Sequence, residues 1–362
     1  MKANIFITSA LLMLLTACGQ KAMYRIEGKL GNLNNPVVYA VFESEDGHRV
    51  DTVTCKKAGQ FKIEENQPGF QQATLFFNDR RAWFTVYLEP KIQVSLRGDL
   101  RYPELIQAKG GELNETLSDI RKKEAGLLKE KADLSRQMDA TPSPDLSGET
   151  MTKLANVRHQ LEEGAIQYIQ KHPEEPASVV LLKAYFSDPD NTHRLDELLA
   201  ALNPKLKDFY LVKDLEQYSA RVKRTALGAK APDFDVKNVY GKAVSLDSFP
   251  HKYVLLTFSA PWCEIRNPEL YLNDIRKKYS AKQLANLLVS LDTDSKAVRK
   301  ILDKDSLRWN LVTDSAGQAT RLLDLYNVSS LPRSFLIDDK GKIILKTSNG
   351  MELKQTLEEV IK

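Results

Sequence analysis

The sequence has few of the residues on which metal and nucleotide chemistry depend. Its 362 residues include only 3 cysteines and 5 histidines. The histidines are scattered along the chain without metal-ligand spacing, and no Cys/His cluster accompanies them. A glycine-rich phosphate loop is also missing. We therefore predict no metal site and no cofactor.

Charge of one sign is not in excess either. The chain carries 52 basic and 48 acidic side chains, a formal net charge of +4. This mixture lacks the concentrated positive field that nucleic-acid binding requires, so we expect no nucleic-acid partner. With 42% hydrophobic and 28% charged residues, the composition is that of a folded protein, and its length favours two or three domains.

The N-terminal pattern predicts an export signal. Lys2 precedes an apolar run from Ile5 to Leu15, which is shorter than the roughly 20 residues that span a bilayer. The run ends in Thr16, Ala17 and Cys18, which resembles the lipobox of bacterial lipoproteins.

This resemblance implies that residues 1–17 are a signal peptide and that Cys18 is lipidated, with residues 18–23 as a tether. The protein would then be anchored to a membrane of the cell envelope, facing the periplasm. A plain secretory signal with an incidental cysteine is the alternative. No later segment is apolar enough to span a membrane.

Two further cysteines, Cys55 and Cys263, would share an oxidising compartment, where structural cysteines usually pair. A disulfide between them is one possibility, and free thiols are the default. We interpret Cys55 as a small half-buried residue on a strand, with a partner thiol for Cys263 as the alternative.

Residues 24–110 read as seven short strands in which apolar and polar residues alternate. These are Tyr24–Gly28, Val37–Phe42, Val50–Cys55, Phe61–Glu64, Ala73–Phe77, Trp83–Leu88 and Ile92–Leu96. The pattern predicts a β-sandwich domain. It resembles the β-rich domain of unknown function that often precedes thioredoxin domains in envelope lipoproteins.

Residues 111–225 switch to a period near 3.6, which predicts helices. Proline interrupts them at 141–145 and again at Pro173 and Pro176. We interpret this stretch as a helical linker region, serving as a spacer or as a dimer surface; the oligomeric state cannot be deduced.

Residues 226–362 alternate strands with helices. Strands are expected at Tyr253–Phe258, Leu287–Asp292, Phe335–Asp338 and Ile343–Leu345, with helices near Pro268–Tyr279, Val298–Leu302, Asp314–Leu325 and Leu353–Ile361. The predicted fold class is therefore α+β multidomain: an N-terminal β-sandwich, a helical middle segment and a C-terminal α/β domain.

Three motifs in this last region, taken in order, resemble the thioredoxin-like domain of TlpA/ResA-type thiol-disulfide oxidoreductases. They are Ala231-Pro232-Asp233-Phe234, Phe258-Ser259-Ala260-Pro261-Trp262-Cys263 and Leu331-Pro332. The resemblance implies a thioredoxin fold in which Cys263 is the nucleophile. It also implies that Trp262 and the Leu331-Pro332 loop contact the substrate, and that the bond before Pro332 is cis.

The placement of Cys263 has a physical meaning of its own. A cysteine that follows a strand and opens a helix meets free backbone N–H groups and the positive end of the helix dipole, which favours its thiolate. Arg266, one turn further on, would stabilise this charge, whereas Glu264 would oppose it.

The chain departs from the family at Arg266, because the family motif has its second, resolving cysteine there. Release of a mixed disulfide then needs a thiol from outside. Two hypotheses follow: an oxidoreductase that acts through Cys263 alone on an envelope protein or peptide thiol, or a redox-inactive module that binds a protein or ligand.

Two other positions lack side chains that related enzymes use for peroxide reduction and for proton transfer. Ala260 stands where related thiol peroxidases have a threonine. Thr257 stands where thioredoxin has a buried, proton-shuttling acid.

Overall fold

The computed structural model describes residues 24–45, 47–55, 57, 59–65, 69–140, 144–250, 252–260, 263, 268–296 and 310–361. The chain divides into two compact units, Met1–Gly164 and Ala165–Lys362. Within the described ranges, no helix is both long and apolar enough to cross a membrane.

The first unit begins with a β-sandwich of two four-stranded sheets. Sheet order is β4-β1-β7-β8 in one and β3-β2-β5-β6 in the other. The strands are β1 (Tyr24–Gly31), β2 (Val37–Ser44), β3 (Gly47–Thr54), β4 (Gln60–Glu65), β5 (Gln71–Phe77), β6 (Ala82–Leu88), β7 (Gln93–Asp99) and β8 (Gln107–Lys109). All seven expected strands are present, and β8 is an addition.

Alternation along the strands builds the core of this sandwich. In β1 every second residue is buried, and these side chains join those of the opposite sheet in one apolar cluster. Gly28 has no side chain for a packing reason: a Cβ there would lie 2.1 Å from the ring of Phe61. The Phe61 ring therefore fills the space above Gly28 and closes this part of the core.

The two edge strands of sheet β3-β2-β5-β6 differ in what lies against their free backbone groups. At the β6 edge, the Asn114 side chain accepts a hydrogen bond from the Tyr87 backbone N–H at 2.9 Å and donates one to the Tyr87 carbonyl at 2.6 Å. At the β3 edge most residues are exposed, and Arg49 pairs with Asp51 at 3.7 Å.

Six helices follow the sandwich in the described chain. They are α1 (Glu112–Lys123), α2 (Ala125–Ala140), α3 (Pro144–Lys171), α4 (Pro176–Phe186), α5 (His193–Ala200) and α6 (Tyr210–Arg224). The breaks fall where proline predicts them, since α3 starts at Pro144 and α4 starts at Pro176. Helices α4 to α6 belong to the second unit.

The second unit continues into an α/β domain with a five-stranded mixed sheet of order β13-β12-β11-β14-β15. A two-stranded ribbon, β9 (Val236–Lys237) and β10 (Ala243–Val244), precedes it. Its strands and helices are β11 (Tyr253–Ser259), α7 (Pro268–Lys278), β12 (Leu284–Ser290), β13 (Asn310–Thr313), α8 (Gln318–Leu325), β14 (Arg333–Ile337), β15 (Ile343–Thr347) and α9 (Gly350–Val360).

The central sheet is covered on both faces, which gives the expected α/β layers. On one face α7 and α9 bury Leu272, Ile275, Leu353 and Leu357. On the other face, the Tyr326 ring packs edge-to-face against the Phe335 ring. The Tyr326 hydroxyl donates to the Pro232 carbonyl at 2.7 Å. Burial raises the pKa of the Tyr326 hydroxyl above its usual value.

The strands expected for this domain did not include the two-residue strands β9 and β10. Strand β13 was not expected, because its four residues, NLVT, show no alternation and are defined by pairing with β12. The expected helix at Val298–Leu302 lies outside the described residues.

Candidate functional site

The Cys263 segment and the Leu331-Pro332 segment adjoin the central sheet at the same end of two neighbouring strands. Strands β11 and β14 are antiparallel, with Phe258 opposite Arg333, so the end of β11 lies beside the start of β14. Cys263 follows the last residue of β11 by four positions, and Pro332 directly precedes β14. The pairing register therefore places the end of β11, which leads to Cys263, beside the start of β14, which follows Leu331-Pro332.

The Leu331-Pro332 peptide bond is cis, as the resemblance implied. Pro332 is buried, and Leu331 is half-buried against the aromatic side of the domain core. This segment is thus packed into the domain on one side, immediately before the chain enters β14.

Cys263 follows β11 in the chain. Its backbone N–H donates to the Ala260 carbonyl at 3.0 Å. The residue is half-buried and its thiol is free. Its expected neighbours Trp262, Glu264 and Arg266 lie outside the described residues, as does Cys18.

Behind the motif, two buried hydroxyl groups join β11 to β14. The Thr257 and Ser334 side-chain oxygens are 3.0 Å apart, and both residues are almost fully buried. They stand directly opposite each other in the strand register. The position where thioredoxin has an acid is therefore occupied here by a neutral pair in which one hydroxyl donates a hydrogen bond to the other.

Cys55 lies in the other unit, where it packs half-buried against the sandwich core. Its thiol is free, and burial raises its pKa. These features agree with the interpretation of Cys55 as a small half-buried residue, because a raised pKa disfavours the reactive thiolate.

One cluster that sequence reasoning missed lies at the turn between α3 and α4. The side chains of His172, Glu174 and Glu175 place one ligand atom each within 4.8 Å of one another. His172 Nδ1 is 3.0 Å from Glu175, and the Tyr168 hydroxyl also donates to Glu175. Contacts inside the turn thus already occupy Glu175.

Two family models match the chain. Residues 227–346 match the AhpC/TSA family. Residues 24–117 match a domain of unknown function, DUF4369.

Curated relatives cover the C-terminal region. The chain is 32% identical over 146 residues to the thiol-disulfide oxidoreductase ResA of a Bacillus cereus strain, which spans 40% of this chain and 82% of the relative. It is 31% identical over 149 residues to the thioredoxin-like protein YneN of Bacillus subtilis, covering 40% of this chain and 85% of the relative.

Among solved structures, the thioredoxin domain of a thiol-disulfide oxidoreductase from Bacteroides vulgatus is 29% identical to this chain. It covers 38% of this chain and 99% of that chain, with a TM-score of 0.35.

The buried hydroxyl pair gives a test of the site's framework. Replacing Thr257→Val leaves the Ser334 hydroxyl buried without its partner, and we expect a loss of about 1–2 kcal/mol in the free energy of unfolding. Ser334→Ala is expected to act similarly, whereas the double variant is expected to lose about 1 kcal/mol less than the sum, as measured by urea unfolding.

A matched control is the half-buried cross-strand pair Thr74 and Thr85, whose hydroxyl oxygens are 3.1 Å apart in the sandwich. The same cycle there is expected to show a smaller coupling because water can replace either partner. Equal coupling for the two pairs would contradict the assigned role of burial.

Proposed function

The chain belongs, through its C-terminal domain, to the family of ResA-like thiol-disulfide oxidoreductases, and on this premise we propose that it exchanges disulfides through Cys263 as its single attacking thiol. The second cysteine of the family motif is replaced by Arg266. The proposal therefore divides the reaction between this protein and an external thiol.

The chemistry proceeds in two balanced steps. The Cys263 thiolate attacks one sulfur of a partner disulfide, forming a mixed disulfide and releasing the other partner sulfur as a thiolate. An external thiolate then attacks the partner sulfur of the mixed disulfide. This second step returns the Cys263 thiolate and yields a new disulfide between the partner and the external thiol, so no net electrons remain on the protein.

The observation that carries this proposal is the register of β11 and β14. It sets the end of β11, four residues before Cys263, beside the start of β14, which the cis Leu331-Pro332 bond precedes. A partner strand lying along that segment would have its disulfide within reach of the thiol, with Trp262 as an apolar platform. Arg266 would stabilise the thiolate by its charge.

The place of action in this proposal is the bacterial cell envelope. The lipobox-like ending at Cys18 supports a lipid anchor that holds the protein on a membrane and facing the periplasm. Six residues, 18–23, would link that anchor to the first strand at Tyr24. Partners would then be envelope proteins or peptide thiols in the same compartment.

The first test is adduct formation with bis(2-hydroxyethyl) disulfide in chains that carry Cys18→Ser. We expect one adduct per chain, removed again by glutathione, because only Cys263 is placed for exchange. Cys263→Ser is expected to slow adduct formation at least about tenfold, with Cys55→Ser as the control that leaves it unchanged, both followed by intact mass. Adduct formation that survives Cys263→Ser, or none in the parent, would favour the binding-module alternative.

A second test restores the family motif. In Arg266→Cys, we expect the new thiol to cut the mixed disulfide within the same chain, so that the adduct no longer accumulates and two thiols are lost to an internal disulfide. Thiol counting before and after oxidation measures this. The control is Cys263→Ser combined with Arg266→Cys, and continued adduct accumulation in Arg266→Cys would count against the motif alignment.

The anchor is tested separately by detergent phase partitioning of the protein from its own cells. The native protein is expected in the detergent phase, with an acylated Cys18 as its first residue by mass spectrometry, because two or more acyl chains hold a protein on a membrane. Cys18→Ser is expected to lose the acyl groups. A native chain in the aqueous phase that starts elsewhere would refute lipidation.

A further inference from the structure

The loop between α4 and α5 is joined to the strands of the central sheet by one acidic residue. The Asp190 carboxylate pairs with the Arg333 guanidinium and also lies 3.0 Å from Lys346 Nζ. Lys346 Nζ donates in addition to the Pro189 carbonyl at 3.3 Å. A single carboxylate therefore faces two cations from two neighbouring strands.

The two cations are largely buried, so they depend on the Asp190 carboxylate for a partner of opposite charge. The side chain of Lys346 is 6% exposed and that of Arg333 is 17% exposed, whereas that of Asp190 is 48% exposed. Cations that are largely removed from water need a partner of opposite charge. Burial opposes ionisation of Asp190, but hydrogen bonds and charge from Lys346 and Arg333 outweigh it, so the pKa of Asp190 is lowered and it stays charged at neutral pH.

The cluster lies beside the proposed site. Arg333 is the residue directly after Pro332 and stands opposite Phe258 on the strand that leads to Cys263. Lys346 lies on the neighbouring strand β15, opposite Phe335 of β14. Asp190 therefore contacts β14 at its first residue, which directly follows Pro332 and lies beside the end of β11 that leads to Cys263.

The loop that presents Asp190 has its own hydrogen bonds. The Asp188 carboxylate accepts from the backbone N–H of Asp190 at 2.7 Å, and the Tyr218 hydroxyl of α6 donates to the Ser187 carbonyl at 3.0 Å. These bonds fix the loop on the helices. The loop is thus a preformed support for Arg333.

Two other ion pairs of helices α4 to α6 link the helices to one another and not to the central sheet. Lys183 pairs with Asp214 at 2.9 Å, and Lys223 pairs with Asp196 at 2.8 Å. Both connect helices α4 to α6 to one another. They provide a comparison in which an ion pair links helix to helix.

We infer that Asp190 is a positioning residue for a partner groove, defined as the surface along Leu331, Pro332 and Arg333 on which an extended peptide disulfide would lie. Through Arg333, Asp190 fixes the Leu331-Pro332 segment, and its loop borders this surface. This inference rests on the proposed exchange at Cys263. It assigns to the helical segment a part in choosing partners, since a small disulfide needs no groove whereas a peptide does.

The test compares two disulfides that share one leaving group. One is bis(2-hydroxyethyl) disulfide, and the other is a peptide of about ten residues whose single cysteine carries mercaptoethanol as a mixed disulfide. In Asp190→Asn, adduct formation with the small disulfide is expected to stay within about twofold of the parent. The peptide reaction is expected to slow about tenfold, mainly through a higher KM.

Three further variants identify the cause. Asp190→Glu keeps the charge and is expected to recover much of the peptide rate. Asp214→Asn is the matched control and is expected to change neither rate. If Asp190 acts through Arg333, Arg333→Gln combined with Asp190→Asn loses no more than the larger single effect.

The outcomes separate the two proposals. A parent chain that does not react with the small disulfide overturns the proposed function and this inference with it. A reactive parent with an unchanged peptide rate in Asp190→Asn overturns the inference alone. Equal slowing of both disulfides in Asp190→Asn also overturns it, because the residue would then act on the thiol or on folding rather than on the groove.

Discussion

The antiparallel pairing of β11 with β14 is the constraint on which the C-terminal domain depends. Both strands are buried on both faces, so a shift of one residue would move every side chain to the opposite side of the sheet. The buried oxygens of Thr257 and Ser334 meet only in the observed register. A fixed register in turn fixes where the chain leaves β11 toward Cys263 and where it enters β14 from Pro332.

Much of the fold was accessible from the sequence because its signals are local. Alternation along β1 and the proline at the start of α4 each act within a few residues, and both predictions were confirmed. The strands that were missed are β8, β9, β10 and β13, and none of them is longer than four residues. Such short strands are defined by pairing with distant strands and carry too few residues to show a period.

The candidate site also contains residues that a local motif predicts and one residue that only the tertiary structure identifies. Cys263 and Pro332 were predicted because the family motif names them, and the register places the end of β11, which leads to Cys263, beside the start of β14, which follows Pro332. Asp190 could not be found, since 143 positions separate it from Arg333. In the sequence, Asp190 is one of 48 acidic residues, and only the packing of α4 to α6 with the sheet selects it.

The edges of the sandwich sheet bear on behaviour at high concentration. An unpaired strand edge is a template onto which a second chain can add, which is a common start of aggregation. The Asn114 amide takes the place of such a chain at Tyr87, and charged Arg49 and Asp51 stand along β3. Each edge of this sheet is thus protected by a different means, and both oppose strand-to-strand joining of two copies at high concentration.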